Sequence, residues 1–198
     1  MTTEELKAKY GDEMVWVIPS DTVTHDPDVA NFFYDDEIDF CTKKGEAKYR
    51  WEVENDPSYK QPIVYAVLTC GLDVFVTHRL AGDSRLTGKY SIGTGGHMAP
   101  GESITATLFR ELEEEVGVTP DNMMTISREG YILDESSPVN SVHLGIVYLI
   151  EVNGADAVQV KETEKLTGEW MTSNELAKLY RAGKLESWSE YVFKHWCV

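Results

Sequence analysis

Between residues 95 and 118 a glycine-rich loop runs into a segment crowded with carboxylates: Gly-Gly-His-Met-Ala-Pro-Gly-Glu-Ser-Ile-Thr-Ala-Thr-Leu-Phe-Arg-Glu-Leu-Glu-Glu-Glu-Val-Gly-Val. Gly95, Gly96, Pro100 and Gly101 favour backbone turns that other residues adopt only with strain, so the first part reads as a tight, shaped loop. Ser103 suits an N-cap, good helix formers follow, and Gly117 stands where a left-handed C-terminal residue is wanted, which predicts a helix over about 103–116. At roughly 100° per residue, Ile104, Leu108, Phe109, Leu112 and Val116 fall in one apolar sector that should dock on a sheet. Glu111, Glu114 and Glu115 are spaced i, i+3 and i+4, so their charges gather on an adjoining sector and repel one another, while Glu113 points to solvent.

Such a cluster has two readings. It is a solvated acidic face, or it is held together by a divalent cation, and an all-oxygen ligand set suits Mg²⁺ or Mn²⁺. The wider spacing separates them. Written as G-x5-E-x7-R-E-U-x-E-E-x-G-U, with U aliphatic, the segment places Gly96, Glu102, Arg110, Glu111, Leu112, Glu114, Glu115, Gly117 and Val118 at every defined position. This resembles the signature of the Nudix hydrolases, and average residue usage gives such a match a chance on the order of 10⁻⁹ per starting point.

The resemblance implies Mg²⁺-dependent hydrolysis, with Mn²⁺ as an alternative metal, of a pyrophosphate bond in a nucleoside di- or triphosphate or a nucleoside diphosphate linked to another group. Water would attack phosphorus. It further implies that Glu114 and Glu115 are the main metal ligands, that Glu111 is a ligand or water-activating carboxylate, and that Gly95 offers its backbone carbonyl. Arg110 and Glu102 would orient the cluster by ion pairing, a task that suits a fork-shaped guanidinium, and Gly96 and Gly117 would shape the box. The chemistry agrees: pyrophosphate repels hydroxide, so the reaction needs cationic charge on the phosphate oxygens and a carboxylate to position or deprotonate water.

A chain of 198 residues can bury one substantial core, and one domain is expected, with an N-terminal extension over 1–61 and the hydrolase domain over 62–198. The formal charge of −16 disfavours a nucleic-acid polymer or an anionic membrane as partner, since both reward Lys and Arg. A small phosphorylated substrate, such as a nucleotide, remains compatible because bound metal inverts the local sign. Cys41, Cys70 and Cys197 are odd in number and far apart, which fits neither a disulfide framework nor a zinc site. The N-terminus lacks a basic-then-apolar leader pattern and no apolar run approaches 18 residues, so a cytoplasmic protein is expected.

Along the chain, residues 1–12 read as a polar helix and 14–19 as a strand stopped by Pro19. Residues 20–61 are acidic and aromatic and take no secure assignment. Within them, the run from Arg50 to Gln61 into Tyr65 is similar to a branch of predicted Nudix phosphoesterases; it reads as a packing and dimer element rather than a cap over substrate, which makes a homodimer one partner arrangement and leaves the oligomeric state open. Residues 63–70 and 74–80 form β-rich runs around a hairpin signal, Gly71-Leu72-Asp73. The loop 79–89 carries Arg79, Arg85 and Lys89, which either clasp the phosphate not held by metal or form an ordinary solvated loop. His97 reads as incidental to the chemistry.

Residues 123–134 and 142–152 read as long strands, 161–167 as a polar loop and 169–171 as a short strand. Thr172 and Glu175 form a capping-box pattern for a helix ending near Gly183, and Trp188, Val192 and Trp196 lie on one face of a last helix. Strands flanked by helices without regular alternation suggest an α/β (α+β) fold, a mixed sheet in an α/β/α sandwich, which is also the fold that the resemblance implies. By the same resemblance, Glu164, six residues before Trp170, would bring an extra carboxylate over the metal site, with Glu162 competing for that role. A non-catalytic nucleotide-sensing or protein-binding module is the rival reading; isopentenyl-diphosphate isomerase chemistry is disfavoured by the intact carboxylate box.

Overall fold

The computed structural model describes residues 1–23, 32–33, 43–81 and 86–197. Two compact units emerge, one made of Met1–Val64, Gly96–Thr107 and Gly130–Ile146, the other of Tyr65–Gly95, Leu108–Glu129 and Val147–Val198.

In the first unit, α1 (Thr3–Tyr10) starts at a complete capping box, with Thr2 accepting from the Glu5 backbone and Glu5 accepting from that of Thr2. It stops at Gly11, whose φ of 55° a side chain would oppose. Strand β1 (Met14–Pro19) follows, and after β2 (Phe32–Phe33) comes β3 (Glu46–Tyr49). β1 pairs antiparallel with β3 in the register Met14↔Tyr49 to Val17↔Glu46, and at its end with Lys60 and Tyr59. Periodicity predicts no strand at 46–49, because Glu46-Ala47-Lys48-Tyr49 is polar and mostly exposed; backbone pairing with an apolar neighbour makes it one. The short helix α2 (Arg50–Val53) then turns Val53 into a small core with Val15, Val17 and Tyr59. Tyr49 stacks on Trp51, Lys7 lies 4.0 Å over the Trp51 ring, and Arg50 bridges Glu13 and Glu54. The aromatic and charged stretch near residue 50 therefore packs within this unit.

In the second unit, the end of β4 (Tyr59–Cys70) turns through Gly71, φ 62°, into β5 (Asp73–Arg79), with Thr69 opposite Val74 and Cys70 opposite Asp73. A positive φ at the first turn position matches the twist that a two-residue hairpin needs. Two strands that periodicity misses, β6 (Tyr90–Ser91) and β7 (Gly93–Thr94), pair with β5 and β4 respectively. They are two residues each, too short for an alternation signal.

Helix α3 (Ile104–Val116), β8 (Met123–Ile132) and β9 (His143–Val152), like β4, contribute residues to both units. β9 is buried along nearly its whole length, the mark of a strand covered on both faces. β10 (Leu166–Met171) begins earlier than its apolar end suggests: Leu166 and Thr167 pair with Arg79 and His78, and edge pairing asks only for backbone groups. The strands are hydrogen-bonded in the order β10-β5-β4-β9-β8-β2. Antiparallel pairing joins β10 to β5, β5 to β4 and β8 to β2, and likewise the short β6 to β5 and β7 to β4. Helices α4 (Ser173–Arg181) and α5 (Ser187–Cys197) close the chain; α4 has the expected capping box, Thr172 with Glu175, and ends before Gly183, φ 63°. This is a mixed α/β fold with a mostly antiparallel sheet. Among the described residues no helix is long and apolar enough to cross a membrane.

Candidate active site

The box helix forms where its local signals place it. Ser103 Oγ accepts the Ala106 N–H at 3.1 Å, so the serine caps the first turn. Leu108, Leu112 and Val116 are buried, Ile104 and Phe109 half-buried, and Glu113 exposed, as one apolar sector requires. At the other end Gly117 takes φ 70°, and the Val118 N–H reaches back to the Leu112 carbonyl at 3.1 Å.

In the first unit, Glu102 accepts from the Ala99 N–H at 3.2 Å and from the Thr107 hydroxyl at 2.8 Å, which ties the box loop to the start of the helix. Gly96 offers its carbonyl to the Val64 N–H, and Met98 donates to the Pro62 carbonyl. His97 bridges Ile63 and turns its ring edge-on to His143, 5.3 Å between centroids. Burial, then the Arg50 charge, then His143 hold His97 well below the usual imidazole range, so it is neutral and packed within the unit.

The carboxylates lie in the second unit. Arg110 donates to Glu111 at 2.6 Å and to Glu114 at 3.2 Å, gripping two of the three from within the helix. Glu111's side chain is 12 % exposed against 61 % for Glu114. Burial pushes the Glu111 carboxyl up; Arg110 opposes this, and the charges of Glu115 and Glu114 add to it. Glu115 is held differently. Its Oε2 accepts from the Thr94 hydroxyl and from the Gly95 N–H, the latter at 2.9 Å. Gly95 makes this approach with φ 144°, a conformation that only glycine reaches without strain. Burial again raises the Glu115 carboxyl, Thr94, Gly95 and the Arg79 charge hold it back, and Glu162 pushes it further up.

The charge of Glu162, in the loop before β10, acts on Glu115. A backbone clasp brings this loop to the helix. Gln159 N–H donates to the Val116 carbonyl and Lys161 N–H to the Glu115 carbonyl, both at 2.9 Å, which lays the loop along the end of α3. Gly117 leaves room for it: a Cβ there would sit 2.8 Å from Lys161 Cε and Nζ. Glu162 then pairs with Lys165 at 2.8 Å and its carbonyl caps Lys165 and Leu166; the side chains of Glu162 and Glu164 are both exposed.

In loop 79–89, the Arg79 charge reaches Glu115. Lys89 instead donates to the Gly183 carbonyl at 2.7 Å and lies 3.4 Å from that of Leu185, clamping the turn between α4 and α5. Arg85 lies outside the described residues.

A set of Glu111, Glu114, Glu115 and Glu162 is all oxygen, which would fit a hard divalent cation; burial raises Glu111 and Glu115, Glu115 and Glu114 add to the first and Glu162 to the second. A cation would relieve that repulsion. Among the described residues no three acidic, His or Cys side chains are already gathered as a ligand cluster; Arg110 and the Thr94–Gly95 pair hold the box carboxylates in the geometry seen here.

Comparison with known proteins agrees with this anatomy. The family model described as a NUDIX domain matches residues 60–195. Protein YmaB of Bacillus subtilis (strain 168) is 34% identical over 197 residues, covering 91% of this chain and 96% of that protein. The crystal structure of Tm1382, a Nudix hydrolase candidate, superposes with a TM-score of 0.75 at 28% identity, covering 92% of this chain and 97% of that one. DR0079 from Deinococcus radiodurans shares the fold, with a TM-score of 0.58 at 15% identity over 92% of this chain and 98% of its own.

Proposed function

Because the chain belongs to the Nudix hydrolase family, we propose that it hydrolyses a pyrophosphate bond in a nucleoside di- or triphosphate, or in a nucleoside diphosphate linked to another group, with Mg²⁺ or Mn²⁺ as cofactor. The observation that carries the reading is Glu115: a half-buried carboxylate fixed by Thr94 and Gly95, with the charges of Arg79 and Glu162 acting on it. When bound, the cation neutralises the phosphate oxygens and draws electron density from phosphorus. Glu111, Glu114 and Glu115 would hold it. Glu162, or Glu111, takes the proton as the water oxygen bonds to phosphorus and the anhydride P–O bond breaks to leave two phosphates. Arg79 offers a bidentate grip to a phosphate oxygen pair.

A screen of substrate turnover, with the phosphorylated products separated and identified by chromatography, tests this. Nucleoside triphosphates, nucleoside diphosphates, ADP-ribose, dinucleoside polyphosphates and non-nucleotide pyrophosphates are each supplied with Mg²⁺ and with Mn²⁺; one class is expected to turn over well above the rest, and no turnover in any class with either metal would sink the proposal.

Two comparisons refine the roles. Glu162→Gln is expected to lower kcat by about 10²-fold or more, the usual scale for a lost general base, and Glu164→Gln far less. The reverse ranking would return the role to Glu164. Arg79→Ala should raise KM about tenfold, the size of one charged hydrogen bond, with the melting temperature nearly unchanged. Lys89→Ala should do the opposite, lowering stability with little change in KM, because its partners are the Gly183 and Leu185 carbonyls; a KM effect confined to Lys89→Ala would place the phosphate clasp there.

A further inference from the structure

A buried polar cluster that takes no part in the proposed chemistry sits behind residues 91–95. Tyr65, 7% exposed, donates its hydroxyl to Glu186 Oε1 at 2.7 Å and lies 2.8 Å from Ser189 Oγ and 3.2 Å from Ser91 Oγ. Glu186 stands just before α5. Its Oε1 also accepts from the Ser189 N–H at 2.7 Å and the Ser189 hydroxyl at 2.5 Å, and its Oε2 accepts from the Trp188 N–H at 2.8 Å. One carboxylate thus gathers the first turn of α5 and the phenol of β4. A buried network with its donors and acceptors matched in this way is rigid, because any displacement strands a polar group.

That rigidity is passed to the strand which carries Thr94. Ser189 Oγ, fully buried, accepts the Ile92 N–H at 2.9 Å, and Ser91 Oγ donates to the Gly93 carbonyl at 2.8 Å. Gly93 lies so close to the Tyr65 ring that a Cβ would fall 2.2 Å from its Cε1 and Cζ. Trp188 packs edge-on against the same ring, 5.6 Å between centroids. The next two residues after Gly93 are Thr94 and Gly95, whose hydroxyl and N–H both meet Glu115 Oε2. A continuous path of contacts therefore runs from Glu186 and Ser189 through Tyr65 and residues 91–93 to the oxygen of Glu115, all inside the second unit.

We propose that Tyr65, Glu186 and Ser189 form a positioning network that fixes residues 91–95 and, through Thr94 and Gly95, orients Glu115 for a divalent cation. This rests on the reading that Glu115 holds such a cation. Tyr65 is a positioning residue here; burial and the Glu186 charge keep its phenol protonated, so its hydroxyl donates to Glu186.

The test is Mn²⁺ binding to the full chain without substrate, followed by electron paramagnetic resonance and by calorimetry. In the wild type, Mn²⁺ should bind and Glu115→Gln should weaken it severely; absence of binding in the wild type would overturn the metal reading and this inference with it. Thr94→Val should weaken Mn²⁺ about tenfold or more, the usual scale when a group that orients a ligand is lost. Tyr65→Phe, one step further away, should weaken it about threefold to tenfold. In the Thr94→Val background the same change should have an effect within about twofold of none, since coupled residues are not additive. Wild-type Mn²⁺ affinity in Tyr65→Phe, with only a lower melting temperature, would reduce the cluster to packing and overturn the proposal. Full additivity with Thr94→Val would overturn it as well. If Tyr65→Phe does not fold, Ser189→Ala and Glu186→Gln take its place, with the same expected weakening and the same overturning results.

Discussion

Glu115→Gln will lose nearly all turnover and still fold. The carboxylate lies at the meeting point of Thr94, Gly95, Arg79 and Glu162, and glutamine can keep one carbonyl oxygen for the Thr94 and Gly95 donors while giving up the charge. About 4 kcal/mol of transition-state stabilisation corresponds to about 10³-fold in rate, and losing a carboxylate that holds a catalytic cation is expected to cost at least that. The metal-free variant should also be slightly more stable than the wild type at neutral pH. Burial has raised the Glu115 carboxyl, so its ionised form is disfavoured in the folded state, and removing that charge removes the penalty. Steady-state kinetics at saturating Mg²⁺ and a thermal melt in a chelator check both parts. Wild-type turnover in the variant would remove Glu115 from the metal site.

Acidification will raise the Mg²⁺ requirement while stabilising the metal-free protein, and the two effects share one cause. Glu111 and Glu115 both have folded-state carboxyls raised above the unfolded value, chiefly by burial. A raised carboxyl binds its proton more tightly when folded, so the stability that these two groups contribute is fully present below the ordinary carboxylate value of about 4.3 and is lost as pH rises from there through the raised folded values. Added Mg²⁺ competes with those protons. The concentration of Mg²⁺ for half-maximal rate should therefore climb steeply as pH falls into that window, and saturating metal should flatten the loss of stability on the alkaline side. Glu111→Gln should weaken both dependences. Chelation should abolish turnover at every pH, and Mg²⁺ should restore it. A Mg²⁺ requirement that is independent of pH across the carboxylate range would separate these two residues from the cation.

The box is legible from sequence because its determinants are local. Ser103, the i, i+4 apolar sector and Gly117 act within one or two turns, so the helix at Ile104–Val116, its buried face and its carboxylate sector follow from residues that are neighbours along the chain. The same holds for the capping boxes at Thr2 and Thr172 and for the hairpin at Gly71, each set by a few consecutive residues. The strand at 46–49 does not announce itself, since pairing with β1 rather than its own pattern makes it β-structure.

Only the tertiary structure decided the partners. Thr94 and Glu115 are 21 residues apart, and Tyr65 and Glu186 are 121 apart; a hydrogen bond between such positions leaves no periodicity in the chain. Lys89 reads as one more cation of a basic loop until the turn at Gly183–Leu185 supplies carbonyls for it. Glu162 and Glu164 sit two residues apart on one polar segment, equal in composition and charge. The Lys161 N–H bond to the Glu115 carbonyl, which lays their loop along the end of the helix, is a backbone contact that carries no residue signature.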